Sequence, residues 1–325
     1  MKTLVTGATG FIGSTLTHHL LAQGAAVRIL RRATSKLDLL GEAAQQVEHV
    51  LGDVTDPESL REAMAGVQHV YHTAAYVTLG GRRDRALLRR VNVYGTACVV
   101  DAALAAGVAR LVHTSSIAAL GRPEGHHTPI DETTAWHSSP LNTPYAVSKH
   151  EAELEIHRGI AEGLDAVMVN PSLVFGVGRA GENTHQIAER IRDGKLGAVP
   201  TGGTNVVDVE DVAAGHVRAM AYGQTGARYI LGSENLRWRA IVETLAEALG
   251  VAPPRRSLKP GLALALATAS EAAAFVTRTR PLLTRTMARN VSQVYTFSNR
   301  KALDELGCTF RPFEATTKRL AQAIG

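Results

Sequence analysis

The chain has little of what several specialised chemistries require. Only two of its 325 residues are cysteine, Cys98 and Cys308, and their spacing suits neither a metal site nor a redox pair. Buried, reduced thiols are the expectation, and with them a cytoplasmic location. Aromatic residues make up 5% of the chain, and no Lys/Arg cluster alternates with them. That pattern argues against a nucleic-acid partner despite a formal net charge of +5. No repeat or low-complexity tract is evident, and no signal peptide is expected ahead of the first strand. The most apolar stretch, 261–276, reads as too short to span a bilayer and is interrupted by Glu271. It is expected to cover a substrate pocket, with contact to a membrane surface left open. Thirteen histidines are present, including His18-His19 and His126-His127, but they suggest no converging ligand set, and no metal is expected. His72 and His113 read as packing residues.

Charge is unevenly spread. Residues 251–325 hold twelve Lys and Arg against four Asp and Glu, whereas residues 1–250 hold 23 against 26. The basic end reads as a solvated face or as a wall near an anionic substrate.

What the chain does have begins almost at once. Residues 2–6 are apolar and β-prone, 12–23 read as a helix, and Thr6-Gly7-Ala8-Thr9-Gly10-Phe11-Ile12-Gly13 lies between them. A glycine-rich turn from strand to helix is a phosphate cradle. Gly7 permits the turn, Gly10 lets backbone approach a pyrophosphate, and Gly13 lets helix and strand pack closely. Short apolar segments at 26–30, 47–51, 68–72, 110–114 and 166–170 then alternate with helical patterns at 57–65, 86–106 and 145–162. The alternation predicts an α/β fold, a Rossmann-type doubly wound parallel sheet. After Pro171 the pattern loosens into helices at 184–193, 209–222, 237–249, 262–276 and 313–323. These predict a smaller, mostly helical C-terminal substrate lobe, giving a dinucleotide-binding domain at 1–170 and a lobe at 171–325 interleaved with it. The loop 121–144 is long enough to be functional.

Three further groups carry chemistry. Tyr145 and Lys149 are four apart at the start of a helix and share one face. A phenol of pKa about 10 is a poor acid or base at neutral pH, and a neighbouring cation favours its ionised form. Thr114-Ser115-Ser116 ends a strand, where open α/β sheets place their ligands. Arg31-Arg32, followed by Lys36, ends the second strand where an acidic residue would bind the ribose hydroxyls of NAD. Guanidinium groups there suit a 2′-phosphate, so NADP(H) is expected over NAD(H).

The Gly-x-x-Gly-x-x-Gly spacing, Tyr-x-x-x-Lys and the Ser run together resemble the extended short-chain dehydrogenase/reductase superfamily, over nearly the whole chain. Arg31-Arg32-Ala33-Thr34-Ser35, Tyr71-His72-Thr73-Ala74-Ala75, residues 229–235 and 298–302 with 305–307 are most similar to its dihydroflavonol 4-reductase-like and 3β-hydroxysteroid dehydrogenase-like branch. They are also similar to hopanoid-associated sugar epimerases. The resemblance implies Ser116, Tyr145 and Lys149 as catalytic residues, with Ser115 orienting the strand end. It implies cofactor contacts at Gly7, Thr9, Gly10, Phe11, Ile12, Gly13, Arg31, Arg32, Lys36, Asp53, Val54, Ala74, Ala75, Thr114, Tyr145, Lys149, Pro171 and Leu173. Asp53 would meet the adenine amino group and 170–176 the nicotinamide carboxamide. Asn92 would be structural, and Asp208 or Asp211 a helix cap.

Departures from the pattern bear on the reaction. Nucleotide-sugar epimerases usually carry a tyrosine where Leu120 stands, and sugar dehydratases an Asp-Glu pair where Ile117-Ala118 stand. Without those carboxylates the elimination has no obvious acid and base. Asn205-Val206-Val207-Asp208 lacks the arginine common in UDP-sugar enzymes. Hydride transfer between NADPH and a carbonyl or secondary alcohol of a small apolar substrate is therefore expected. The pocket wall is expected at Tyr76, Val77, Leu173 and Val206, with 262–276 over it. A nucleotide-sugar epimerase using the same three residues, and a non-catalytic NADP sensor, stay open as alternatives, as does a homodimer.

Overall fold

The computed structural model describes every residue except 79–83, 123–128, 183, 280, 282 and 325. His126 and His127 therefore lie outside the described residues. The chain runs β1 (Lys2–Thr6), α1 (Phe11–Ala22), β2 (Ala26–Arg31), β3 (Glu48–Leu51), α2 (Pro57–Met64), β4 (His69–His72), α3 (Arg85–Leu88), α4 (Gly95–Ala105), β5 (Arg110–Thr114), α5 (Pro144–Ala161) and β6 (Ala166–Pro171). It continues through β7 (Leu173–Phe175), α6 (His185–Arg192), β8 (Val199–Pro200), β9 (Gly203–Asp208), α7 (Val209–Tyr222), β10 (Arg228–Leu231), β11 (Glu234–Arg237) and α8 (Trp238–Ala248). The last elements are β12 (Ser257–Leu258), α9 (Pro260–Thr277), α10 (Arg285–Ser292), α11 (Arg300–Leu306) and α12 (Phe313–Ile324).

Seven strands form one parallel sheet in the order β10-β6-β5-β4-β1-β2-β3. Successive side chains of a strand point to opposite faces. Val5, Ile29, Tyr71, Val112 and Val167 thus pack on one side with Leu16, Val212 and Ala213 of α1 and α7. Leu4, Leu30, Val70, Leu111 and Met168 pack on the other with Leu60, Val99 and Ile156 of α2, α4 and α5. Burial on both faces explains why the strands read as continuous apolar runs rather than alternating ones. The order reverses direction between β1 and β4, and the crevice outside those strand ends is where open α/β sheets bind ligands.

The smaller lobe is built on a three-stranded sheet, β11-β9-β7, with its own core of Phe175, Ile191, Val206, Ile241, Leu245, Phe313 and Leu320. Phe175 and Phe313 meet edge to face, their ring centres 4.9 Å apart. Strand β10 was not expected among the sheet strands. It closes the large sheet beside β6 after the chain has already entered the lobe. The helix expected over 86–106 is three pieces, because a π turn at Arg89–Tyr94 separates α3 from α4.

The stretch expected to lie over the pocket forms one long helix. Helix α9 is 18 residues, long and apolar enough by length and composition to cross a bilayer, so length does not exclude that. Its buried stripe, Ala263 and Ala267, packs on Ala288 of α10 with Leu258 and Leu283.

Candidate active site

The glycine loop fits a dinucleotide phosphate on steric grounds. Gly7 has φ +75°, and a Cβ there would lie 2.6 Å from the Ala74 backbone nitrogen. A Cβ on Gly13 would lie 2.2 Å from the Gly7 carbonyl oxygen. Only glycine lets β1, α1 and the end of β4 meet this closely. Gly10 precedes α1, and no side chain caps that helix end. Its first N–H groups are thus available to an anion, with the helix dipole favouring one. Ala74 lies against Gly7, and Phe11 against Gly176 and Gly178. Thr9 offers its carbonyl to Arg179 Nη2 at 3.0 Å.

At the end of β2, Arg31 donates from Nε to His49 Nδ1 at 2.7 Å, while Arg32 and Lys36 are exposed. Asp53 Oδ1 accepts from the Thr55 backbone and hydroxyl at 2.9 and 2.8 Å, beside buried Val54. The nearest acid after β2, Asp38, is held by a two-pronged guanidinium contact from Arg179, at 2.7–3.0 Å, which lowers its carboxyl pKa.

Helix α5 is started by Pro144 and by Thr143, whose Oγ1 accepts from Ala146 N at 3.0 Å. That fixes Tyr145 in its first turn. Lys149, one turn on and 3% exposed, donates from Nζ to the Thr114 carbonyl at 2.8 Å. Ser116 follows β5. Its Oγ accepts from Ala118 N at 3.1 Å and lies beside the Tyr145 hydroxyl. Ser115 extends the β5–β6 ladder through its N–H to Val169. Tyr145, Lys149, Thr114 and Ser116 are thus together. Burial pushes the Tyr145 hydroxyl up to about 12, against a smaller lowering from Ser116, so it is protonated at neutral pH. Burial also brings Lys149 down to about 8, opposed by the charge of Glu153.

Three buried imidazoles surround Lys149 and Thr114. His216 bonds the Val212 carbonyl through Nδ1 and Thr114 Oγ1 through Nε2, both at 2.7 Å. A carbonyl only accepts, so Nδ1 carries the proton and the threonine hydroxyl donates to Nε2. His72 lies between Thr6 Oγ1 and Thr96 Oγ1 at 2.7 and 3.1 Å. His113 lies beside it, ring centres 5.2 Å apart. Burial drives His72 down to about 3 and His216 to about 4, and His113 well below its usual value, so all three are neutral.

Glu153 and Arg179 were not expected as contributors, and Asn92 gains partners for its expected structural role. Asn92, in the π turn, accepts from Tyr76 N at 2.7 Å and donates to the Tyr76 carbonyl and Ser148 Oγ, both at 3.0 Å. It ties the loop after β4 to α5, which makes the structural role specific. Glu153, 2% exposed, accepts from Asn170 Nδ2 at 2.7 Å, and the same amide donates to the Ser116 carbonyl at 3.0 Å. The signal in the sequence was its place four residues after Lys149. Arg179 had no comparable signal. Asp208 caps α7, accepting from Glu210 N at 2.8 Å, and pairs with Arg311 and Arg319. Pro171 is buried, and Leu173 pairs in register with Val206 in the lobe sheet. Val206 is fully buried in the lobe core, so it cannot line an open pocket as expected. Val77 is 57% exposed. Among the described residues no three His, Cys, Asp or Glu side chains form a metal-sized cluster.

The model of the NAD dependent epimerase/dehydratase family matches residues 3–232. A protein of Synechocystis sp. that carries the provisional name dihydroflavonol 4-reductase is 35% identical, covering 98% of this chain and 92% of its own. Sterol demethylase protein B of Methylococcus capsulatus is 38% identical over 81% of this chain and 79% of its own. The crystal structure of gox2253 superposes with a TM-score of 0.86 at 35% identity, covering 99% of this chain and 97% of that one. With this loop, this sheet order and this match, the chain belongs to the NAD dependent epimerase/dehydratase family, the extended short-chain dehydrogenases/reductases, and is an NAD(P)-dependent enzyme.

Proposed function

We propose that the protein is an NADPH-dependent reductase acting on a carbonyl of a small, largely apolar substrate, and on the corresponding secondary alcohol in reverse. The observation that carries this reading is the meeting of a protonated Tyr145, beside Ser116, with a buried Lys149. Bound NADPH supplies the hydride for the carbonyl carbon. Tyr145 donates its proton to the substrate oxygen as charge develops there, and Ser116 holds that oxygen by hydrogen bonding. Lys149, fixed by Thr114, supplies the field that stabilises the phenolate left behind and is placed to hold the nicotinamide ribose. In the reverse direction Tyr145 takes the proton back. The glycine loop would hold the pyrophosphate, and Arg31, Arg32 and Lys36 the 2′-phosphate.

The substrate class rests on the lack of sugar-enzyme side chains after Ser116, where Ile117 and Ala118 replace the carboxylate pair of sugar dehydratases. Leu120 stands there, fully buried, in place of the tyrosine common to nucleotide-sugar epimerases. The names of the two relatives, a flavonoid reductase and a sterol protein, point toward apolar ring compounds as well. The test is incubation of the pure protein with NADPH or NADH and two panels, apolar ketones and nucleotide sugars. Stoichiometric oxidation of NADPH by a ketone supports the reading. Inversion of a sugar with no net loss of cofactor overturns it in favour of an epimerase. An Arg31→Ser/Arg32→Ser variant should lose its preference for NADPH by about 10-fold or more, the scale of one or two charge-assisted contacts.

A further inference from the structure

A surface helix normally turns charged residues to solvent and apolar ones to the core. Helix α9 has no such polar outer face. Leu262, Ala265, Leu266, Ala269, Ala272, Ala273 and Val276 fall at i, i+3, i+4, i+7, i+10, i+11 and i+14, which is one continuous side of a helix, and all are exposed. Leu262 and Leu266 are about half exposed, and Phe275 and Val276 are 83% and 80% exposed. No charged residue interrupts that side. Scattered exposed leucines need no explanation, but a contiguous apolar face on an 18-residue helix does.

The charges are gathered at its borders. Arg255, Arg256 and Lys259 precede the helix, and Arg278 follows it, with Arg285 and Arg289 on α10. All six side chains are exposed, and they belong to the segment in which cations outnumber acids twelve to four. The opposite side of α9 is fixed to the protein. Its single acid, Glu271, faces α10, accepting from the Arg285 backbone at 2.9 Å and pairing with Arg285 Nε at 2.7 Å. Ser270 Oγ accepts from Leu283 N at 3.2 Å. The two helices therefore form a locked hairpin, which holds α9 as an external rib and works against its leaving the fold to span a bilayer.

We propose that α9 is a membrane-surface docking element. It lies in the plane of a bilayer rich in anionic lipid, with the Leu262–Val276 side among the acyl chains and the bordering Arg and Lys residues at the phosphates. An apolar face, basic borders and no acid on the exposed side are the complement of such a surface. A second copy of this chain would match the apolar face but present the same cations to it. The rib also reaches the substrate side of the molecule. Asn290 of α10 donates to the Leu141 carbonyl at 2.8 Å, four residues before Tyr145, and the backbone N–H of Gly202 donates to the Val291 carbonyl at 3.1 Å. Docking would thus set the 139–143 segment close to the lipid.

The test is flotation of the full chain with vesicles of phosphatidylcholine alone and of phosphatidylcholine with roughly one-third phosphatidylglycerol, whose negative surface potential attracts basic segments. The wild type should float with the anionic vesicles at least tenfold more than with neutral ones. Binding should fall as salt shortens the Debye length below about 10 Å. Leu266→Glu/Phe275→Glu should abolish flotation while leaving the circular dichroism and melting temperature unchanged, since both residues are exposed. Arg255→Glu/Arg256→Glu should weaken it in anionic vesicles alone. Failure of the wild type to float, or equal flotation with both vesicle types, overturns the proposal. So does a concentration-dependent dimer in sedimentation that Leu266→Glu/Phe275→Glu dissolves without any vesicle binding, which would assign the face to a second copy.

Discussion

Around the glycine loop there is no spare space, and along α9 there is almost nothing but space. A methyl group on Gly13 would stand 2.2 Å from the Gly7 oxygen, whereas a whole phenyl ring at Phe275 is 83% exposed. The first reads from sequence as a strand-to-helix turn and the second as an apolar helix. They differ in what surrounds them. In the first, β1, α1 and β4 leave only glycine at Gly7 and Gly13, because any Cβ there would enter backbone. In the second, the fold constrains only the stripe facing α10 and leaves the rest to whatever meets it from outside. Predictions made for the two should therefore differ in size, and the differences are a way to test the contrast.

The largest effect belongs to the crowded side. Tyr145→Phe should lower turnover by roughly 10²–10⁴-fold, the usual worth of a positioned general acid. Affinity for NADPH, measured by quenching or enhancement of cofactor fluorescence, should be unchanged. Turnover within threefold of the wild type would remove Tyr145 from the chemistry.

Next comes Gly13→Val. The new side chain must displace the Gly7 backbone, so NADPH titration should show at least a tenfold loss of affinity. Thermal melting should show a loss of about 1–3 kcal/mol, as for overpacking elsewhere. Unaltered affinity would mean that the phosphate is held elsewhere along the cleft.

The same contrast explains what could be read from the amino acids. Strand β5 and helix α7 appear where periodicity puts them, because their side chains are buried on the faces that the pattern marks. The glycines, Tyr145 and Lys149 were legible because steric exclusion and a four-residue spacing leave few alternatives. The π turn at Arg89–Tyr94 was not, since an extra residue in a helix leaves the composition of the segment unchanged. Strand β10 was missed because its four residues follow the lobe helix α7 and gain their role only from pairing with β6. Arg179 was missed because its partners, Asp38 and Thr9, are 141 and 170 residues away. Nothing local marks such contacts.

A third prediction concerns the buried imidazoles. His72, His113 and His216 have folded-state pKa values below the ordinary 6.5, so below pH 6.5 the unfolded chain binds more protons than the folded one. Their contribution to stability is therefore intact above pH 6.5 and is lost as pH falls toward about 4 and about 3, the values for His216 and His72. Each neutral imidazole adds a slope of up to about 1.4 kcal/mol per pH unit in that range. His113→Phe, which keeps an aromatic ring in the same buried place, should make the fall in melting temperature between pH 6.5 and 5 shallower than in the wild type. Equal slopes would mean that His113 is as readily protonated in the folded protein as in the unfolded chain.

The smallest effect should come from the outer face of α9, and its smallness is informative. Phe275→Ser removes the largest exposed apolar side chain of the helix, yet no buried packing is lost with it. Stability by chemical denaturation should stay within about 0.5 kcal/mol of the wild type, the range for surface substitutions away from special contacts. A loss of several kcal/mol would show that Phe275 is covered in solution, and the face could then no longer be treated as open. A neutral result separates the two kinds of apolar residue in this chain. The ones buried against the sheet hold the fold together, and a residue that costs nothing to fold yet presents an apolar ring to water has its reason for being there outside the monomer.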